Sequence, residues 1–142
     1  MIDQLSELCL QLAFDSYEET APELRADHDE DRHLIYEGAG IVLDLTLRQN
    51  SNGTSVQIGG QILPVNDSLD EASNAPVVLE SGARKISTRT NSMGEFAFAD
   101  APAGALELAI TLRNRRFLVQ GVGRRHLRDL RIQPVFSKGK YA

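Results

Sequence analysis

Through most of the middle of the chain apolar and polar side chains alternate with a period of two, that of a strand with one buried face. In GIVLDLTLRQ, the residues Ile41, Leu43, Leu45 and Leu47 fall on one side, with Val42, Asp44, Thr46 and Arg48 on the other. TSVQIGGQIL repeats the pattern with Val56, Ile58, Gly60 and Ile62. Between these runs, Asn52-Gly53 tolerates the positive backbone angles of a tight hairpin turn, so the two strands are expected to pair antiparallel. APVVLES and RKISTRTN read as shorter strands parted at Ser81-Gly82, and EFAFADAP places Phe96 and Phe98 on one face. Ala101-Pro102-Ala103-Gly104 breaks the pattern before ALELAITLRN, where Leu106, Leu108, Ile110 and Leu112 alternate with Glu107, Ala109, Thr111 and Arg113. A hairpin at Asn114 then returns the chain through Phe117 and Val119.

Short strands about every 8 to 12 residues, separated by Gly, Pro and Asn turns and with no helical pattern between them, predict an all-β, antiparallel sandwich. About seven strands are expected, carried by residues 33–120. Residues 1–32 read as an N-terminal extension of strand or helix followed by an acidic loop, and residues 121–142 as a basic C-terminal tail. Near the N-terminus, Leu8, Leu10, Leu12 and Phe14 alternate as in a strand, while Leu5, Leu8 and Leu12 also share one face of a helix. A short helix over Asp3 to Leu8 leading into a strand is the expectation. EETAPELRADHDED, residues 18–31, reads as an exposed loop, HLIYEG as the strand that follows it, and NDSLDEASNAP, residues 66–76, as a long polar loop.

RTNSMGEFAF, residues 89–98, sets an acid and two aromatic residues beside a turn. A structural role is expected for all of them. Asn91 caps the turn, Gly94 supplies a conformation other residues resist, Phe96 and Phe98 fill the core, and Glu95 is a surface acid.

GGQIL, then APVVLES, then STRTNSMGEFAFADAPAGALELAI together resemble the carboxypeptidase regulatory-like domain, a transthyretin-like (prealbumin-like) sandwich. The shared pattern is a glycine-x-apolar strand, a proline-flanked apolar strand, threonines, an acid or Asn before Gly-x-Phe, and a Pro-x-Gly turn before a last apolar strand. It covers roughly residues 56–112, with Asn91 standing where the family often has Asp. The resemblance implies a seven-stranded sandwich used as an accessory module, stalk or recognition domain, and implies no activity, since fold does not fix function.

Composition narrows the function classes. A chain of 142 residues with 42% hydrophobic content is the size of one domain with a sizeable core. Aromatics are only 6% and tryptophan is absent, so few rings are available to stack on unpaired bases. The start MIDQLSELCLQLAF has no positively charged leader region, and no run approaches the roughly 18 apolar residues of a membrane span, so a soluble cytoplasmic protein with no membrane contact is expected. The lone Cys9 excludes an internal disulfide framework and suits a reducing compartment; in an apolar segment it is expected to act as a small hydrophobe. The Asn-x-Ser/Thr matches at Asn52 and Asn66 are then accidental.

Candidate chemistry is sparse. Asp27-His28-Asp29-Glu30-Asp31-Arg32-His33 gathers two histidines and four carboxylates, but it lacks zinc or calcium-loop spacing and reads as a solvated loop. No nucleophile elbow, phosphate-binding loop or HExxH pattern occurs, and His126 lies among arginines as part of the basic tail. No enzyme, cofactor or metal is expected.

Charge is the exception. The formal net charge is -5, yet residues 1–112 carry 6 Lys/Arg against 19 Asp/Glu while residues 113–142 carry 9 against 1. Such a split marks a segment that contacts the body of its own chain, a second copy, an acidic protein or nucleic acid, with Arg124, Arg125, Arg128 and Arg131 as the candidate partner-binding residues. The tail also reads as an amphipathic helix with Val122, His126, Leu127 and Leu130 near one face. The function expected is a non-catalytic protein-interaction or regulatory accessory module that contacts a protein partner or itself through exposed strand edges and through the acidic loop or the basic tail. The alternative is a small-molecule or nucleic-acid binder using an intersubunit channel or the tail; an overall pI of about 5.2 disfavours nucleic acid for the body.

Overall fold

The alternation is realised strand by strand in a computed structural model that describes residues 6–19, 31–51 and 53–123. Its strands are β1 (Ser6–Cys9), β2 (Gln11–Asp15), β3 (Arg32–Gly38), β4 (Ile41–Gln49), β5 (Ser55–Pro64), β6 (Pro76–Ser81), β7 (Arg84–Arg89), β8 (Glu95–Pro102), β9 (Leu106–Leu112) and β10 (Arg115–Val122). One helical turn, α1 (Ser16–Glu19), follows β2, and a 3-10 turn spans Leu69–Ala72. Sheet A runs β1-β10-β9-β6-β7 and sheet B runs β2-β3-β4-β5-β8. The two sheets pack together as a β-sandwich of ten strands rather than the expected seven or so.

All neighbours are antiparallel except β1, which lies parallel to β10. The core forms where the inner faces meet, from Leu43, Leu45, Ile58, Ile62, Phe96 and Phe98 of sheet B and Val77, Leu79, Leu108, Ile110, Phe117 and Val119 of sheet A. Each such side chain contributes about 2 kcal/mol by leaving water. Gly60 is required by this packing, because a Cβ there would lie 2.3 Å from the Phe96 ring.

Three expectations change. Ser6–Cys9 is a strand, not the end of a helix over Asp3 to Leu8, because it finds backbone partners in β10. Leu8, Leu10, Leu12 and Phe14 do not share a face: β1 hands over to β2 at the buried Leu10, and a register shift between Leu12 and Phe14 leaves Leu12 47% exposed while Asp15 turns inward. The β4–β5 hairpin closes through residues 50–54 rather than through a two-residue turn, with the Asn50 N–H donating to the Ser55 carbonyl at 2.9 Å. Asn52 itself lies outside the described residues.

The stretch at 89–98 reverses the chain, as its residues suggest. Asn91 Oδ1 accepts from the backbone N–H of Met93 and of Glu95, both at 2.9 Å. Thr90 is buried; its hydroxyl donates to the Ala72 carbonyl and accepts from the Ala75 N–H at 2.7 Å, tying the 66–75 loop to the turn. Gly94 has φ of +78°, and a Cβ there would sit 2.6 Å from the Ile62 carbonyl oxygen. Gly82, at φ +58°, has nothing within 4 Å.

Both glycines therefore carry the left-handed strain, but only Gly94 carries a clash. Urea denaturation is expected to show Gly82→Ala costing about 1 kcal/mol and Gly94→Ala at least twice as much. Equal losses at the two positions would contradict this account of the turn.

Candidate functional site

The acidic run and its neighbours are distributed among separate pairs. Asp31 accepts from Arg48 Nε at 2.8 Å and Nη2 at 3.1 Å, and this hydrogen-bonded guanidinium holds its carboxyl below the usual range. His33 turns to the outer face of sheet B, with Nε2 2.6 Å from Asp44 Oδ1 and its ring edge-on to Phe14. Arg32 turns inward and bonds both oxygens of Asp15, at 3.1 and 2.8 Å, with its guanidinium 4.6 Å from the centroid of Tyr17. Consecutive residues on a strand point to opposite faces, so Arg32 and His33 cannot converge. Residues 27–30 lie outside the described residues, and among the described ones no three His, Cys, Asp or Glu side chains are grouped to hold a metal ion.

Asp15 and Arg32 form a buried pair, with side chains 3% and 11% exposed. Tyr36 is buried too, and desolvation pushes its hydroxyl above the usual tyrosine pKa. The geometry of the pair is bidentate and capped by an aromatic ring, which suits the positioning of β2 against β3.

The outer face of sheet A has a different character. β10, β9 and β6 each carry three consecutive apolar residues, Phe117-Leu118-Val119, Leu108-Ala109-Ile110 and Val77-Val78-Leu79, and β1 ends in Leu8-Cys9 with Leu10 just beyond it. The register aligns the middle members, since Leu118 lies opposite Cys9 and Ala109, and Ala109 opposite Val78. The outer members face the core, so Cys9, Leu118, Ala109 and Val78 form an apolar row on the outer side of the sheet, about 15 Å long at the spacing of neighbouring strands, with Cys9 exposed, Leu118 and Val78 half-buried and the small Ala109 buried between them. The row ends at Ser87 of β7. Cys9 is exposed there and does not pack as a small core hydrophobe.

Charges flank the row. On one side Arg116 donates to Glu7 Oε2 at 2.7 Å. On the other, Glu80 and Glu107 stand directly opposite each other, a like-charge pairing that destabilises a sheet. The relief they find among the described residues is weak: Lys85 Nζ lies 3.4 Å from Glu80, and Gln120 Nε2 donates to Glu107 at 3.3 Å. A cleft of about 190 Å³ lies over Ala109 and Leu118, bounded by Glu80, Glu107 and Arg116. A second, of about 400 Å³, shares Glu80 and Glu107 and continues past Gln120 and Gly121 to the end of β10. The acid pair thus stands at the join of a groove that runs from the apolar row to the strand after which the basic tail begins.

Arg124, Arg125, Arg128 and Arg131, the candidates from sequence, and His126 lie outside the described residues. The acid pair and the apolar row were missed. Their signal was partial: apolar triplets replace strict alternation in these strands, but also at Leu34-Ile35-Tyr36 and Ile41-Val42-Leu43 of sheet B.

No protein-family model matches the chain, and it matches no curated protein and no solved structure.

Removing one member of the buried pair strands the other. Arg32→Met is expected to cost about 3 kcal/mol in chemical denaturation, and adding Asp15→Leu is expected to recover much of that loss. Additive losses in the double variant would show that the two residues do not act as a pair.

Proposed function

We propose that this chain is a non-catalytic protein-interaction module that takes a basic segment studded with apolar residues into the groove on the outer face of sheet A. The observation that carries the reading is the coincidence of the outer-face row Cys9-Leu118-Ala109-Val78, exposed at Cys9 and half-buried at Leu118 and Val78, with the opposed carboxylates of Glu80 and Glu107. An apolar row alone gains little in water, and a like-charge pair alone costs stability. A ligand that covers the row and brings cations to the pair relieves both.

Other features support the same reading. The polar residues of the β2–β4 region are engaged with one another, as Asp15 with Arg32, His33 with Asp44 and Asp31 with Arg48, and this suits a structural role. The resemblance of residues 56–112 to the carboxypeptidase regulatory-like domain points to an accessory or recognition role as well. The single cysteine suits a reducing setting. Among the described residues no helix is long and apolar enough to cross a membrane.

The test is an NMR titration of the 15N-labelled full chain with two peptides of equal length, one alternating Arg with Leu and the other Glu with Leu. The basic peptide is expected to move the amides of Val78, Glu80, Glu107 and Leu118, less so at high salt. Glu80→Gln with Glu107→Gln is expected to weaken it about tenfold, the effect of two partly exposed charge pairs. Equal responses to the two peptides, or none to either, would refute the reading.

A further inference from the structure

Resting on that reading of the groove, we propose that its resident occupant is the chain's own segment Arg124–Ala142, which folds back over sheet A and must be displaced by a partner. Three observations converge on this occupant. The first is position. The described chain ends at Gly123, just past β10, and the wider part of the groove is lined by Gln120 and Gly121. Gly121 and Gly123 have φ of +74° and +84°, left-handed conformations that let the backbone leave the strand direction at low cost.

The second is charge. Residues 124–142 hold six Lys/Arg and one Asp, and the cleft beside Gln120 and Gly121 is lined by the opposed carboxylates of Glu80 and Glu107. The third is apolar content. Leu127, Leu130 and Ile132 are interleaved with Arg128 and Arg131, matching a groove that is apolar along the row and acidic at its join.

Reach does not limit the contact. Leu118 lies five residues back from Gly123, about 17 Å along the strand. The nineteen residues of the segment span about 28 Å as a helix and about 60 Å extended. Because the segment is tethered, its effective concentration at the groove is on the order of millimolar, so a weak contact suffices to occupy the site. The consequence is autoinhibition: an external basic segment binds only by competing with the internal one.

The experiment compares the 15N-labelled full chain with the variant carrying Arg124→Gln, Arg125→Gln, Arg128→Gln and Arg131→Gln together. These substitutions lie outside the described residues and change none of the core side chains named above. Neutralising the tail is expected to shift the amides of Val78, Glu107 and Leu118 while Leu43 and Ile58 of sheet B stay in place. High salt is expected to move the unmodified chain towards the variant. The variant is also expected to bind the Arg/Leu peptide about tenfold more tightly, because its internal competitor is weakened. Coincident spectra for the two chains would overturn the proposal. If the variant and the unmodified chain then bound the peptide equally, the groove reading would stand without an internal occupant; if neither bound it, both would fall. Groove shifts that vanish on dilution would also overturn the proposal, since the occupant would then be the tail of a second copy.

Discussion

Everything in this molecule depends on the meeting of two apolar sheet faces. A chain with a period of two can bury only one side of each strand, so each five-stranded sheet needs the other to cover it. Leu10 shows how strictly this operates. It is a single residue between β1 in sheet A and β2 in sheet B, yet it is buried, and its N–H donates to the Leu118 carbonyl at 2.9 Å. The opposite edge is closed in the same manner, where the chain passes from β7 to β8 through Thr90 and the turn at Asn91. The open edges are short or charged: β1 has four residues, β2 is broken by a register shift, β7 carries Arg84, Lys85 and Arg89, and β8 ends in Pro102. These are features that discourage indiscriminate strand pairing, which directs recognition towards a face rather than an edge.

The two outer faces differ, and the difference has a physical meaning. Sheet B sets His33, Asp44, Thr46 and Gln61 outside together with the half-buried Phe14, Ile35, Val42 and Leu63, and brings no two acids opposite each other there. Sheet A aligns outward apolar residues across four adjacent strands and sets two glutamates against each other beside that row. A well-adapted sequence keeps its local choices consistent with the fold, and places where several choices conflict at one spot are where function is found. An external or internal segment that is basic and apolar removes both conflicts together.

Much of the architecture was legible in the sequence because alternation is a local signal. The inward faces of β4 and β9, the Ser81-Gly82 turn, the Asn114 hairpin and the role of Asn91 could all be read from neighbouring residues. The N-terminus could not. Leu5, Leu8 and Leu12 fit a helical period while Leu8, Leu10, Leu12 and Phe14 fit an extended one, and for Ser6–Cys9 the choice is made by a parallel pairing with β10 more than a hundred residues away in the chain. The site was only half legible for a related reason. Each apolar triplet is visible alone, but their alignment into one row is a matter of register between β1, β10, β9 and β6. The opposition of Glu80 to Glu107 is likewise a property of the β6–β9 ladder. The charge of the tail was plain from the start, while the surface that complements it was not.

Cys9 offers the most direct measurement, since it is the chain's single cysteine and stands at the end of the apolar row. Its rate of alkylation by a neutral reagent would be followed across ionic strength in the unmodified full chain and in the chain with the four tail arginines neutralised. A groove occupied by a basic segment predicts slow, salt-accelerated alkylation in the former and faster, salt-indifferent alkylation in the latter. Identical rates in the two chains at every salt concentration would contradict the account.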